Sequence, residues 1–256
     1  MISVVTINYN NAPGLLKTLE SLERVAELIS QLIIVDGKST DESLDVLSQV
    51  NLSGIGDVQV ICESDKGLYD AMNKGIAGVS GLYLIFMNSG DSFHSLESLE
   101  RVSVAAQRRA PDFIYGDFIE VGGDGQKYTP ARSASWLPYG MFTSHQAMLF
   151  KVSIIKSYAM EYNLSYRLAA DYCFVAEFLS LSNSVEYVPV PVCYFDVSGV
   201  SNTKRFEALR ENYVIRVQTL NMGHLKAALL YLAHFAHSLL KRNFKGLTDR
   251  LRGKVA

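Results

Sequence analysis

The sequence predicts an α/β protein: a Rossmann-like, mostly parallel central sheet with helices on both faces, followed by a helical C-terminal extension. Three observations predict it. Short β-branched apolar runs alternate with helical patterns through the first half, and polar, glycine-bearing loops carrying an aspartate follow three of those runs. The 256 residues, 48% hydrophobic and 20% charged, suffice to bury one large core, and they exclude a disordered, collagen-like or disulfide-scaffold chain.

The elements follow in order. Ile2 to Ile7 reads as the first strand, and Pro13 sits in the first turn of a helix that aligns Leu15, Leu19, Leu22 and Val25. Gln31 to Asp36 is the second strand; the capping-box spacing Ser39-Thr-Asp-Glu42 predicts a second helix through Leu44 and Leu47. Val58 to Cys62 is a strand, Tyr69 to Gly78 a short helix and Leu82 to Met87 a fourth strand. A helix from Leu96 to about Arg108 and a strand from Asp112 to Phe118 come next, with a hairpin turn at Gly122-Gly-Asp-Gly125. Gln146 to Phe150 reads as a buried strand, Ala169 to Leu181 as a helix and Tyr187 to Phe195 as an extended segment interrupted by prolines. One helical pattern then runs from about Thr203 to the end.

Several classes drop out early. Cys62, Cys173 and Cys193 stand singly, which suits a reducing compartment and suggests neither a zinc knuckle nor a disulfide framework. No basic region precedes an apolar run at the N-terminus, and no stretch reaches the roughly 20 apolar residues that span a bilayer, so a cytoplasmic, soluble or peripheral protein is expected. A net charge of −2 argues against nucleic acid as partner.

Asp36 ends the second strand, and Asp65 and Asp91 lie shortly past the third and fourth. The carboxyl ends of parallel strands form the ligand crevice of an open α/β sheet, so these aspartates should converge there; alternatively, each is an ordinary turn or capping residue. The chain has neither G-x-G-x-x-G after the first strand nor the Walker motif.

Four segments, Val4-Val-Thr-Ile-Asn-Tyr-Asn10, Ile33 to Ser43, Asp65 to Ile76 and Met87-Asn-Ser-Gly-Asp91, resemble the inverting family 2 glycosyltransferases of GT-A fold. Ser144-His-Gln146, Tyr166 to Tyr172 and Gly199-Val-Ser201 resemble the bacterial exopolysaccharide, colanic acid and O-antigen branch. The resemblance runs from about residue 1 to 205, in one order. It implies a catalytic domain over 1–203, and the charge and leucine spacing of the remainder mark a basic amphipathic extension over 204–256.

The same resemblance implies roles. Thr6, Asn8, Tyr9, Asp36 and Asp65 map to nucleoside-binding positions, although packing is an equal reading of Tyr9. Lys66 approaches the donor diphosphate or is simply solvated, and His145 approaches the diphosphate or satisfies a strand-start hydrogen bond. Ser201 is a donor to the diphosphate or part of a plain turn. Asp91 maps to the acid that engages Mg²⁺ or Mn²⁺ on a UDP-, GDP- or dTDP-sugar, with helix capping as the other reading. Asn88 and Gly90 stand where many relatives carry aspartates. Asp171 maps to the base that deprotonates the acceptor hydroxyl, or is a helix N-terminal aspartate; Ala170 replaces its acidic neighbour, and Asp117 and Asp196 are fallback bases. Trp136 and Tyr139 are read as core packing in preference to sugar-stacking rings.

From Lys204 on, 11 lysines and arginines face three acids, a net +8, whereas the preceding residues carry −10. With Leu225, Leu229, Leu232, Ala236 and Leu239 at helical spacing, residues 225–254 either contact an anionic membrane surface or pack on the catalytic domain. The expected activity is transfer of a sugar from a nucleotide sugar to a saccharide acceptor, polyisoprenyl-linked, in surface polysaccharide biosynthesis at the inner face of the bacterial inner membrane. Two alternatives stand beside it. One is a nucleotidyltransferase, disfavoured because Asn10-Asn-Ala-Pro-Gly14 is no glycine-rich basic loop; the other is a non-catalytic nucleotide-sugar-binding protein.

Overall fold

A computed structural model describes residues 1–123, 125–197 and 205–252, with side chains described up to residue 240. Strands β1 (Ile2–Asn8), β2 (Ile29–Asp36), β3 (Val58–Cys62) and β4 (Tyr83–Phe86) lie parallel in the order β3-β2-β1-β4. The sheet continues through β8 (Met148–Lys151), β6 (Phe113–Gly122), β9 (Val185–Asp196) and β5 (Ser92–Phe93), and β7 (Gly125–Thr129) pairs with β6. This second half is mixed: β8 is antiparallel to both neighbours, whereas β9 runs parallel to β6.

Strand alternation divides the core between the two faces. Ile2, Val4, Leu32 and Ile34 pack beneath α1 (Ala12–Glu23) and α3 (Leu96–Arg109). Val5, Ile7, Ile33 and Val35 face α2 (Leu68–Gly78), α4 (Val152–Ser157) and α5 (Ala170–Leu181). Helix α1 starts where the Asn11 side chain accepts from the Gly14 N–H, and α3 where Ser95 accepts from Ser98.

Three expectations need correction. The helix expected from Ser39 is a turn of 3₁₀ helix over Asp45–Gln49, because Ser39 Oγ donates to Asp36 instead of capping. Asp41 is likewise occupied, accepting from Ala12 N, Ser43 N and Ser43 Oγ. The C-terminal pattern is two helices, α6 (Arg205–Gln218) and α7 (His224–Arg252). Asn221, at φ 50, sits in the left-handed region between them, and the Met222 N–H returns to the Arg216 carbonyl. Trp136 and Tyr139 are not core residues: they are 42% and 37% exposed, paired at 4.9 Å on a 3₁₀ segment, Ala134–Tyr139, with Arg132 4.6 Å over the indole. The strands β5 and the short α4 had no sequence signal, and β9 is longer than its prolines suggested. Its register against β6 shifts beside Gly116 and Asp117, which accommodates residues that cannot donate to the ladder.

The sheet core and the C-terminal helix differ in how large apolar side chains are used. Phe150 is fully buried and lies against Phe113, Phe174 and Phe178. Leu229 on α7 is 60% exposed. Phe150→Ala should therefore cost about 3–5 kcal/mol, and Leu229→Ala less than about 0.5 kcal/mol. Equilibrium urea unfolding checks both values; equal effects would contradict the packing described.

Candidate active site

Because β1 to β4 are parallel, their carboxyl ends share one edge, where Asn8 is level with Asp36 and Asp36 with Cys62. Asp36 is fully buried. Its oxygens accept from Ser39 N at 2.7 Å, Ser39 Oγ at 2.7 Å and Asn8 Nδ2 at 2.8 Å. Cys62 Sγ approaches at 3.8 Å. The other end of the Asn8 amide accepts from Ser89 Oγ at 2.8 Å, which ties in the loop after β4. Asn8 and Asp36 thus hold three strand ends together. Thr6 is buried next to them on β1, and its Oγ1 has no hydrogen-bond partner.

Tyr9 and Asp65 meet over Gly37. A Cβ there would lie 2.8 Å from Asp65 Oδ2 and 3.0 Å from the Tyr9 ring, so only glycine leaves this cradle open. Tyr9 is 66% exposed, a ring offered to the crevice and not to the core. Lys74 bonds Asp65 and lies within ion-pair reach of Glu63 and Asp70. Desolvation pulls its ammonium down, but the bonds to Asp65 and Glu63 prevail and hold it above the usual lysine range. Lys66 gives its backbone N–H to Asp70 at 2.9 Å, and its side chain is exposed beside the start of α2.

Asp91 lies at the end of a turn in which Gly90 has φ +103. The carboxylate is buried and accepts from Asp196 N at 2.9 Å. Burial pushes it up to about 7, and the Asp196 charge adds to that, while the Asp196 N–H, Lys17 and Gln146 oppose it. Asn88, in the same turn, has a buried Oδ1 with no hydrogen-bond partner. The Asp91 carboxylate and the Asn88 amide oxygen form an oxygen donor set that fits a hard divalent cation whose remaining ligands come from elsewhere. No cluster of three or more metal-type side chains occurs among the described residues.

Asp171 stands in the first turn of α5, half-buried, and accepts from Tyr172 N at 2.8 Å and Tyr69 Oη at 3.3 Å. Burial raises its pKa; the two donors oppose the shift, and the Glu211 charge reinforces it. Burial and Asp171 keep the Tyr69 phenol protonated. Tyr69 stacks on Tyr162 at 5.4 Å, and Tyr162 Oη bonds His145 Nε2 at 2.8 Å. His145 is buried and stacked on Phe86, and burial pushes it down to about 3, so it is a neutral ring. Its neighbour Gln146 accepts from Ser144 Oγ at 2.6 Å.

Of the fallback bases, Asp117 is fully buried and accepts from Tyr128 Oη, Tyr187 Oη and Ala131 N. Asp196 sits beside Asp91. Ser201 lies outside the described residues. Tyr69, Lys74, Asn88 and Gln146 complete the site; Tyr69 and Lys74 lie within the segment Asp65 to Ile76, but nothing local marks their partners.

An open α/β sheet with carboxylates at its strand ends and a further carboxylate on a facing helix marks that edge as the ligand crevice. Residues 3–165 match Glycosyl transferase family 2, and the chain belongs to that family. It is a glycosyltransferase; nucleotidyl transfer and a purely binding role are set aside. It is 31% identical over 207 residues to the PGL/p-HBAD biosynthesis glycosyltransferases of Mycobacterium bovis and Mycobacterium tuberculosis, covering 79% of this chain and 80% of theirs. Solved structures share its fold, among them the following two. S. aureus TarS 1-349 with UDP-GlcNAc gives a TM-score of 0.68 at 16% identity, over 90% of this chain and 70% of that one. The Pyrobaculum calidifontis mannosyltransferase with GDP-Man and Mn²⁺ gives 0.63 at 12% identity, over 96% of this chain and 79% of that one.

The raised Asp91 pKa sets a pH test. The folded chain holds the proton up to about 7 and the unfolded chain only to the ordinary 3.8. Stability present below the lower value is therefore lost as pH rises through the higher one. Asp91→Asn, which stays neutral, should gain stability over the metal-free parent at about pH 8 and much less at about pH 4.5. Denaturant melts at both pH values decide it; an equal difference at both would contradict the assignment.

Proposed function

We propose that the chain is an inverting glycosyltransferase that moves a sugar from a nucleoside diphosphate sugar to a polyisoprenyl-linked saccharide in bacterial surface polysaccharide assembly. The observation that carries this reading is Asp171. It is a half-buried carboxylate with raised pKa, and the Tyr69 phenol and Tyr172 N–H orient it beside the crevice.

Tyr9, Gly37 and Asp65 receive the nucleoside, with Thr6 Oγ1 as a buried hydroxyl still able to bond; Asn8 and Asp36 hold that wall in place. Lys66 reaches the diphosphate from its exposed position. His145, neutral and bonded to Tyr162, sets the ring that backs Tyr69. Asp91 and Asn88 hold Mg²⁺ or Mn²⁺, which when bound stabilises the charge gathering on the departing diphosphate. Asp171 takes the proton from an acceptor hydroxyl as its oxygen attacks the anomeric carbon opposite the diphosphate, which inverts that centre. The exposed pair Trp136 and Tyr139 suits an acceptor sugar face.

The helix α7 supports the membrane-side assignment. Leu225, Leu229, Leu232 and Leu240 lie 57–76% exposed along it, whereas its buried side carries Ala227 and Ser238. The sequence beyond is basic, with Lys241, Arg242, Lys245, Arg250, Arg252 and Lys254 against Asp249. An outward leucine stripe beside a basic segment matches an anionic lipid surface, at the cytoplasmic face where a lipid-linked acceptor is presented. No helix among the described residues is long and apolar enough to cross a membrane.

Asp171→Asn should keep nucleotide-sugar binding and lose transfer by about 10²–10⁴-fold. A thermal-shift screen of UDP-, GDP- and dTDP-sugars with Mn²⁺, followed by product assay, measures both, and normal turnover removes Asp171 as base. Sedimentation with phosphatidylglycerol-containing vesicles should retain the full chain and lose it on deletion of residues 241–256. No difference between the two would refute the membrane contact.

A further inference from the structure

We propose that Glu211, on the C-terminal helix α6, is a positioning residue for the catalytic base: its carboxylate gathers the backbone N–H groups of the turn that leads into α5 and thereby sets where Asp171 stands. Glu211 Oε1 accepts from Arg167 N at 2.9 Å, and Oε2 accepts from Leu168 N at 2.9 Å and Ala169 N at 2.8 Å. The residue at the α5 N-cap is Ala169, which has no side-chain acceptor of its own. A helix start leaves N–H groups without partners, and serine, threonine, aspartate or asparagine at the cap ordinarily serves one of them. Here an anion from 42 residues along the chain serves the approach to the helix instead, with three charge-assisted bonds.

This carboxylate makes no ion pair among the described residues. It is half-buried and points at backbone within four residues of Asp171. One turn further along α6, the buried Arg216 gives Nε to Pro138 O at 3.0 Å and Nη2 to Tyr139 O at 3.1 Å. Tyr172, next to Asp171, donates to Leu137 O at 2.8 Å. Helix α6 therefore grips both the segment that carries Trp136 and Tyr139 and the turn that carries the base.

Glu211 also acts through charge. The groups facing Asp171 are Tyr69 from α2, Tyr162 from the segment before α5 and Glu211 from α6, and of these only Glu211 is anionic. A second negative charge near the base favours its proton-bound form and strengthens it as a proton acceptor.

The inference rests on Asp171 as base, and the experiment separates the two. E211Q keeps size and loses charge; E211D keeps charge and withdraws the carboxylate by one methylene. The activity read is nucleoside diphosphate release from whichever UDP-, GDP- or dTDP-sugar the parent hydrolyses fastest with Mn²⁺, as a function of pH. Affinity for the same donor is read by thermal shift. E211Q should bind donor as the parent does, lose kcat on the order of 10- to 100-fold and move the acidic limb of its kcat profile to lower pH. E211D should lose kcat and leave the limb in place. An E211Q with parental kcat, or with reduced kcat and an unmoved limb, overturns the proposal. If E211Q does not fold, E211D decides: reduced kcat with donor affinity kept supports it, and unchanged kcat overturns it. Parental hydrolysis by D171N would instead remove the base assignment itself.

Discussion

The rest of the site depends on one buried anion. Asp36 sits at the end of β2 without solvent, and a carboxylate there is tolerable only because Ser39 N, Ser39 Oγ and Asn8 Nδ2 donate to it. Hydrogen bonds to a charged group contribute about 1.5–3 kcal/mol each, and leaving the charge short of one costs more than the bond adds. Asn8 is committed to Asp36 through its nitrogen, so its oxygen is fixed toward Ser89. The ends of β2, β1 and β4 are locked in register, and with them Gly37, Tyr9 and the turn that ends at Asp91.

Around that rigid floor, the two carboxylates with raised pKa values lie in different surroundings. Asp91 is buried beside a second acid, and Asp171 is held by a phenol and a backbone N–H with Glu211 nearby. Each is costly for the empty protein and useful once charge or a proton has to be handled, which is how strain and function commonly coincide at active sites. On the Asp171 side, Tyr69, Tyr162 and His145 form one run of packed rings and hydrogen bonds behind the carboxylate.

The first half of the fold was legible because β1 to β4 are apolar runs of strand length and α1 and α3 have clear caps and stripes. The capping-box signal at Ser39 misled because a capping side chain has one set of bonds to give, and the buried Asp36 took them. Strand β5 is two residues long, too short for any period. The aspartates of the site were visible from their places after strands. Their partners were not: Tyr69 meets Asp171 across 102 residues and Glu211 meets Ala169 across 42, and such separations leave no local pattern. The outward leucines of α7 have the same helical spacing a buried face would have, so periodicity alone could not tell which way they point.

The central claim is that one edge of the sheet binds a nucleoside diphosphate sugar between Asp91 and Asp171. Anomalous diffraction from crystals grown with Mn²⁺ and the tightest-binding UDP-, GDP- or dTDP-sugar tests it most directly. The account predicts a manganese peak within about 2.0–2.6 Å of an Asp91 carboxylate oxygen, in contact with the diphosphate, and an anomeric carbon facing Asp171 from the side opposite the leaving group. A peak remote from Asp91, or a donor whose diphosphate lies on the Asp171 side, would contradict it.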